Sequence, residues 1–333
     1  MQGLARLGSR CTQGVRTTST VSRLRLCFFH DRYRTGLERD VSDTAGPESP
    51  LRIVLIGAGR VGPAVAALLQ DAGHEIVGVA SRSQDSAAAA SERLGAPVFG
   101  IDGDVPDATV ALIAVPDSVV AEMGARIGSR LPEGTILCHF AGAFGIDAWS
   151  SMSGRHGLCS LHPVQACPTT DLAIARLPGS AWGVTCTPET HPWARRLIES
   201  DLRGIAVDVA EEHRALWHAA AVTTANGTTG LLASAEAMLR SIGIERPLEV
   251  LGPLATGAVQ NAREAHDALS VLTGPAIRGD VATIRGHLEA LSRYAPDLSH
   301  AYRLASRITI DAAHRSGRLD ESGGELDGVL DTP

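Results

Sequence analysis

Short apolar runs alternate with longer amphipathic stretches between residues 51 and 209. Residues 51–56 form the first apolar run, whereas residues 61–72 repeat apolar side chains at helical spacing. Alternating strands and helices predict an α/β domain built on a parallel, doubly wound sheet. The predicted strands are residues 51–56, 75–80, 97–99, 109–115, 135–140, 157–161, 181–185 and 204–209.

Beyond residue 210 the pattern becomes helical throughout. We predict helices over residues 211–242, 248–268, 280–291 and 298–314. Strands first and helices afterwards predict a separate all-α domain, with a cleft between the two domains. The expected organisation is an extension at 1–50, a sheet domain at 51–209, a helical domain at 210–316 and a disordered tail at 317–333.

A glycine-rich segment, GAGRVG at residues 57–62, joins the first predicted strand to the first helix. Gly57 permits a tight turn, Gly59 lets a pyrophosphate approach the backbone, and Gly62 lets helix and strand pack closely. This strand, turn and helix predict a Rossmann dinucleotide site. Its predicted contacts are Gly57, Gly59, Arg60, Val61 and Gly62.

The end of the second predicted strand bears on the choice of cofactor. An NAD site places an acid there, but this chain has Ser81, Arg82 and Ser83. A cation between hydroxyls suits a 2′-phosphate, which favours NADP over NAD; the alternative is a solvated surface Arg82.

The fourth predicted strand ends at the edge where the cofactor would pass. Val115 and Pro116 are expected to line the nicotinamide side there. Asp117 is interpreted as the cap of the following helix.

Histidines end two neighbouring predicted strands, and a third lies on the first long helix. His139 and His162 can face one cleft, although each alone is more often a structural histidine than a catalyst. His218 and Asn226 are candidates for a polar pair on a helix of small residues, with a buried network lacking a ligand as the alternative.

A loop between predicted helices holds an arginine suited to an anionic group. In LTGPAIRGD, residues 272–280, Asp280 is a sound N-cap, but capping does not explain Arg278. An arginine on a rigid loop suits a carboxylate or phosphate, so we give Arg278 a ligand role.

Composition narrows the chemistry. All 30 Lys+Arg residues are Arg, so lysine Schiff-base and lysine acid chemistry is excluded. The net charge of −7 disfavours a nucleic-acid partner, and no apolar run is long enough to predict a membrane span. The six cysteines show no CxxC pair, and no close-spaced metal motif is present, so we expect reduced thiols, no metal and a cytoplasmic protein.

The first 50 residues differ from the rest. Five arginines come before the first acid, Asp31, as in a mitochondrial presequence. Later acids and the segment CFFH at residues 27–30 favour an extension upstream of the true start, or a disordered tail.

These motifs together resemble proteins that pair a Rossmann-like domain with the domain of unknown function 2520. The resemblance rests on GAGRVG, AVPD, LHPVQ, HAAAVTTAN and LTGPAIRGD, in that order, over residues 51–316. That family is similar in architecture to 6-phosphogluconate dehydrogenase-like, pyrroline-5-carboxylate reductase-like and deazaflavin-dependent NADP reductase proteins.

That resemblance implies an NADP-binding domain and a helical domain that commonly forms a homodimer. Related β-hydroxyacid dehydrogenases move the proton with a lysine, whose nearest counterpart here is the region around His218. The expected function is an NADP-dependent oxidoreductase for a small substrate, with His218 or His162 handling the proton and Asn226 and Arg278 orienting the substrate. The alternative is a noncatalytic NADP(H)-binding or sensing protein.

Overall fold

The computed structural model describes residues 49–319 and 323–331. All of these residues fall in one compact unit. The arginine-rich extension lies outside the described residues, apart from its last two positions. The described chain begins with alternating strands and helices and ends in helices, which confirms the α/β fold class.

A seven-stranded sheet forms the first half, in the order β2-β1-β3-β4-β5-β6-β7. The strands are β1 (Arg52–Ile56), β2 (Glu75–Ala80), β3 (Val110–Ile113), β4 (Ile136–His139), β5 (Gly157–Pro163), β6 (Ala181–Cys186) and β7 (Ile205–Asp208). The helices between them are α1 (Val61–Asp71), α2 (Gln84–Leu94), α3 (Val120–Gly128), α4 (Thr170–Arg176) and α5 (His191–Arg196).

Two layers of helix cover the sheet, because alternate side chains of each central strand are buried on opposite faces. Ile53 and Leu55 pack on one face with α1 and the residues of β5 and β6. Val54 and Ile56 pack on the other face with α3 and Trp149. Burial on both faces explains the continuous apolar runs of the central strands.

Three features of this half differ from expectation. Residues 97–99 contribute one bridge, between Val79 and Val98, rather than a strand. The pair β5 and β6 is antiparallel, whereas the other neighbouring pairs are parallel. The unexpected helix α4 packs beside α1. The chain therefore enters β6 at the same end of the sheet at which it left β5.

The helical half begins with one nearly continuous run. Helix α6 (Arg214–Val222) passes through a π-helical turn, Thr223–Gly227, into α7 (Thr228–Ser241). The later helices are α8 (Pro247–Glu264), α9 (Val281–Tyr294), α10 (Ser299–Arg315) and α11 (Gly323–Asp331). The four helices that the pattern predicted beyond residue 210 are therefore present.

The last helix corrects the expectation of a disordered tail. Leu326 is fully buried in α11 and Leu330 nearly so, and both join a core with Ile284 of α9 and Ile310 of α10. The glycines and acids of the tail predicted disorder, but a leucine pair at helical spacing buries enough apolar surface to hold this helix.

Candidate active site

The glycine loop lies where strand order reverses, between β1 and β3. Gly57 has a φ of 97°, which favours glycine, and a Cβ at this position would lie 2.3 Å from the carbonyl oxygen of Ala114. A Cβ on Gly62 would lie 2.6 Å from the Cβ of Ala114. Both glycines are therefore required for close packing at the switch point of the sheet, where ligands of this fold class bind.

The loop also leaves room for a phosphate group. A Cβ on Gly59 would meet nothing within 4 Å, so the space above this glycine is open. The first turn of α1 has no side-chain cap and no acidic residue, and its N-cap is Arg60. Free N–H groups at an uncapped helix N-terminus favour an anion, so Gly57–Gly62 fits a dinucleotide pyrophosphate.

Two residues after β2 have different roles: Arg82 is a cation available to a ligand, and the hydroxyl of Ser83 caps a helix. Arg82 is exposed and its side chain has no hydrogen-bond or ion-pair partner among the described residues. The Oγ of Ser83 accepts a hydrogen bond from the backbone N–H of Ser86 and caps α2, a role that the sequence did not predict. Arg82 and Ser81 therefore stay available to a ribose phosphate.

Val115 and Pro116 lie beside the glycine loop, as predicted, but Asp117 does not cap the helix that follows. Val115 lies against Gly57, with its Cγ1 3.1 Å from an ideal Cβ there, and Pro116 is exposed. The side chain of Asp117 makes no capping hydrogen bond, so the prediction of an Asp117 cap is wrong. A 3-10 turn, Asp117–Val119, precedes α3 and changes the cap geometry.

His139, at the end of β4, is a structural residue. Its Nε2 donates to the carbonyl oxygen of Gly145 at 2.8 Å, and its Nδ1 accepts from the backbone N–H of Ala141. Its pKa is lowered to about 4, mainly by burial and also by the charge of Arg214, against the opposing effect of the hydrogen bond to Gly145. His139 is therefore neutral and holds the loop after β4.

His162, in β5, faces α6. Its Nδ1 accepts a hydrogen bond from the indole N–H of Trp217 at 3.1 Å. Its ring stands edge-on to that of His218, with 5.2 Å between centroids and 78° between planes. The two histidines that the sequence placed on separate elements therefore meet in one site.

His218, on α6, packs against the loop that follows β4. Its Nδ1 is buried without a hydrogen-bond partner among the described residues, and a Cβ on Gly142 would lie 2.0 Å from it. Gly142 is thus needed to admit the ring. A buried ring nitrogen without a partner is costly in a purely structural residue, which makes His218 a functional candidate.

A buried arginine lies beneath these histidines. Arg214 is 1% exposed and donates to the carbonyl oxygens of Ala141 and Gly183 and to the Oγ of Ser160. Burial lowers its pKa to about 10, which leaves it charged at neutral pH. It forms no ion pair with a described residue, but the charges of the nearby Glu211 and Asp117 carboxylates oppose the lowering of its pKa.

Glu211 ties the helical half to the same loop. Its carboxylate accepts the backbone N–H groups of Gly145 and Ile146, at 3.1 and 2.8 Å. A negative group is favourable there because these N–H groups precede the 3-10 helix Asp147–Met152. Glu211 and Arg214 therefore fix α6 to the loop after β4 and set the position of His218.

Two predicted site residues lie apart from the histidines. Asn226 is exposed in the π-helical turn and forms no hydrogen bond with His218. This turn lies between His218 and Asn226 and changes the helical phase, so the two side chains do not form the predicted polar pair.

Arg278 is also exposed, and its side chain has no hydrogen-bond partner among the described residues. Its loop borders a groove of about 260 Å³, which includes Thr273, His287 and Tyr302. As predicted, Asp280 caps α9 by accepting from the backbone N–H of Thr283. Neither Asn226 nor Arg278 thus joins the histidine cluster within this chain.

Sequence reasoning missed Trp217 and the roles of Arg214 and Glu211. These side chains form hydrogen bonds with residues 31 to 73 positions away along the chain, which local periodicity does not reveal. One usable signal was an arginine and a tryptophan in the alanine-rich segment 214–221. The described residues hold neither a cluster of three potential metal ligands nor a helix able to cross a membrane.

Family models match both halves of the chain. Residues 40–163 match the Rossmann-like domain and residues 180–309 match the domain of unknown function DUF2520. The chain therefore carries the pair of domains that its motifs predicted. A comparison with curated protein sequences finds no match.

Solved structures share the fold. A Bacteroides fragilis protein provisionally named an NADP oxidoreductase is 25% identical, with a TM-score of 0.68 over 79% of this chain and 98% of that one. A 1-pyrroline-5-carboxylate reductase of Streptococcus pyogenes is 19% identical, with a TM-score of 0.53 and coverage of 79% and 98%. A reductive aminase of Aspergillus terreus, solved with NADPH and ethyl levulinate, is 16% identical, with a TM-score of 0.58 and coverage of 84% and 99%.

Proposed function

We propose that this chain, which joins a Rossmann-like domain to a DUF2520 domain, is an NADP-dependent oxidoreductase for a small substrate. Three of the similar structures are named for NADP oxidoreductase, pyrroline-5-carboxylate reductase or reductive aminase activity. The observation that carries the proposal is that His162 and His218 meet on the sheet edge that carries the glycine loop. Bound NADPH would supply a hydride.

The dimensions of the sheet suit this arrangement. β1 and β5 are separated by β3 and β4, so their carboxyl ends lie about 14 Å apart at about 4.8 Å per strand. Gly57–Gly62 would hold the pyrophosphate of a dinucleotide, and Val115 and Pro116 would line its path toward the histidines. Arg82 and Ser81 would hold the 2′-phosphate at the opposite end.

We propose that His218 donates the proton that the substrate takes up during reduction. The Nδ1 of His162 already accepts the Trp217 N–H, and burial, Arg214 and His218 lower the pKa of His162 to about 4. His162 is therefore neutral at pH 7. His218 is the other imidazole of the pair; its Nδ1 is buried beside Gly142, so the proton would pass to the substrate from its Nε2.

Turnover with deuterated cofactor tests the reaction. NADPH carrying deuterium at the transferred position is incubated with aldehydes, ketones and imines, and the products are analysed by mass spectrometry. We expect deuterium in at least one product. His218→Asn should lower kcat about 10²- to 10⁴-fold, whereas His213→Asn, at an exposed neighbouring position, should leave it unchanged. Tight NADPH binding without turnover would instead favour a noncatalytic NADP(H)-binding protein.

We further propose that the helical half forms a homodimer. No residue of the 14-residue helix α7 is buried within this chain, and Leu216 and Leu254 are 73% and 71% exposed. Such helices need a packed partner, and a second copy carries the same apolar face. Sedimentation should give a dimer, Leu254→Glu should give a monomer, and Ile205→Glu, at an exposed position on β7, should remain dimeric. A monomeric parent chain would contradict this proposal.

A further inference from the structure

The hydrogen bond between Trp217 and His162 determines which nitrogen of His162 carries the proton. The indole N–H can only donate, so the Nδ1 that it contacts at 3.1 Å must be the accepting, unprotonated nitrogen. In a neutral imidazole the proton is then on Nε2. Nε2 of His162 is thus an N–H donor.

Backbone packing keeps the indole in place. Gly183 lies directly opposite His162 in the ladder between β5 and β6. A Cβ on Gly183 would lie 2.7 Å from the indole nitrogen of Trp217, so the ring rests on bare backbone. The donor that fixes His162 is therefore held by a glycine on the neighbouring strand.

The charges around His162 favour its neutral form, as does the hydrogen bond from Trp217. Burial is the largest cause of its lowered pKa, followed by the positive charge of Arg214 and by His218, both on α6. The facing residue of β6, Gly183, carries no charge. Protonation at Nδ1 would also set two donors against each other, because the Trp217 N–H already points there.

We propose that Trp217 is a positioning residue that holds His162 as a neutral Nε2–H donor, and that this donor and Arg214 select a substrate atom with a free lone pair. A carbonyl oxygen or a neutral imine nitrogen accepts such a hydrogen bond. A preformed iminium cation has no lone pair on nitrogen and is repelled by the buried charge of Arg214. The substrate preference rests on the proposed function, whereas the state of His162 does not.

Nuclear magnetic resonance of the full chain, labelled with ¹⁵N-histidine, tests the state of His162 directly. Its signals are identified by their loss in His162→Gln, and two-bond ¹H–¹⁵N correlations show which nitrogen is protonated. We expect the Nε2–H form throughout pH 8 to 5. A wild-type His162 that carries its proton on Nδ1, or that ionises above pH 6, would overturn the proposal.

Two tryptophan variants test the role of the indole. Trp217→Phe should allow the Nδ1–H form of His162 to appear and should raise its pKa by about half to one unit. Trp193→Phe is the matched control, because the indole N–H of Trp193 has no hydrogen-bond partner among the described residues. Identical His162 spectra in wild type and Trp217→Phe would show that Trp217 does not position the ring.

A matched pair of substrates tests the selection. A cyclic ketone and an N,N-dialkyl iminium ion of the same carbon skeleton are compared with NADPH present. We expect kcat/KM at least 10-fold higher for the ketone, and a smaller preference in Trp217→Phe. Preferred reduction of the iminium ion would overturn the selection. Failure of every substrate, with His162 still in its Nε2–H form, would count against the proposed function and not against the role of Trp217.

Discussion

Replacing Arg214 with methionine should destabilise the protein and raise the pKa of His162. The substitution keeps most of the side-chain length but removes the donors to Ala141, Gly183 and Ser160. Each buried acceptor left unpaired costs about 1–3 kcal/mol, and part of this is offset because a buried charge is also removed. We therefore expect the free energy of unfolding to fall by about 2–4 kcal/mol.

The pKa change has a definite sign. The positive charge of Arg214 lowers the pKa of both His162 and His139, so its removal should raise both. Urea unfolding followed by tryptophan fluorescence measures the stability, and histidine resonances followed against pH measure the pKa values. The control is Arg195→Met, whose ion pairs with Glu199 and Asp208 are exposed and should contribute less than about 1 kcal/mol.

The outcome that refutes this reasoning is a similar loss of stability in the two arginine variants. It would mean that Arg214 contributes no more than a solvated surface residue, despite being 1% exposed. An unchanged pKa of His162 in Arg214→Met would separately contradict the electrostatic link between the two residues.

Four further outcomes are expected. Because the pKa of His139 is about 4 in the folded chain against an ordinary value of 6.5, the unfolded chain takes up a proton at this residue first as pH falls. The free energy of unfolding should therefore drop by about 2 kcal/mol between pH 7 and 5, and urea titrations of His139→Gln should not show this drop. Glu211→Gln should lower the free energy of unfolding by about 1–3 kcal/mol, since its charged acceptor holds two backbone N–H groups. Gly57→Ala should abolish NADPH binding in calorimetry, because its Cβ cannot be accommodated. Gly142→Ala should displace His218 and reduce turnover while NADPH binding persists.

The glycine loop, which is the first half of the candidate site, could be predicted from the sequence because its signals are local. Gly57 and Gly62 follow a buried strand within six residues, and their roles depend on backbone geometry that only glycine allows. The positions of the seven strands likewise followed from apolar runs, although several strands are shorter or longer than predicted. The glycine loop and the histidines at strand ends were thus accessible from the pattern alone, and the cofactor role of Arg82 stays a prediction.

The second half was not accessible, because its contacts join residues far apart along the chain. Trp217 and His162 are 55 residues apart, and Arg214 and Ala141 are 73 apart. The π-helical turn before α7 changed the phase that would have placed Asn226 beside His218. The antiparallel direction of β6 and the helix α4 that precedes it were not indicated by the periodicity of apolar residues.

Calorimetric titration of the purified chain with NADPH and with NADH tests the central claim most directly. We expect NADPH to bind and NADH to bind at least 10-fold more weakly. In Arg82→Ala that preference should be lost, whereas Arg285→Ala, at an exposed position on α9, should keep it. Binding of neither nucleotide would contradict the assignment of Gly57–Gly62 as a cofactor site, and a preference for NADH would contradict the role given to Arg82.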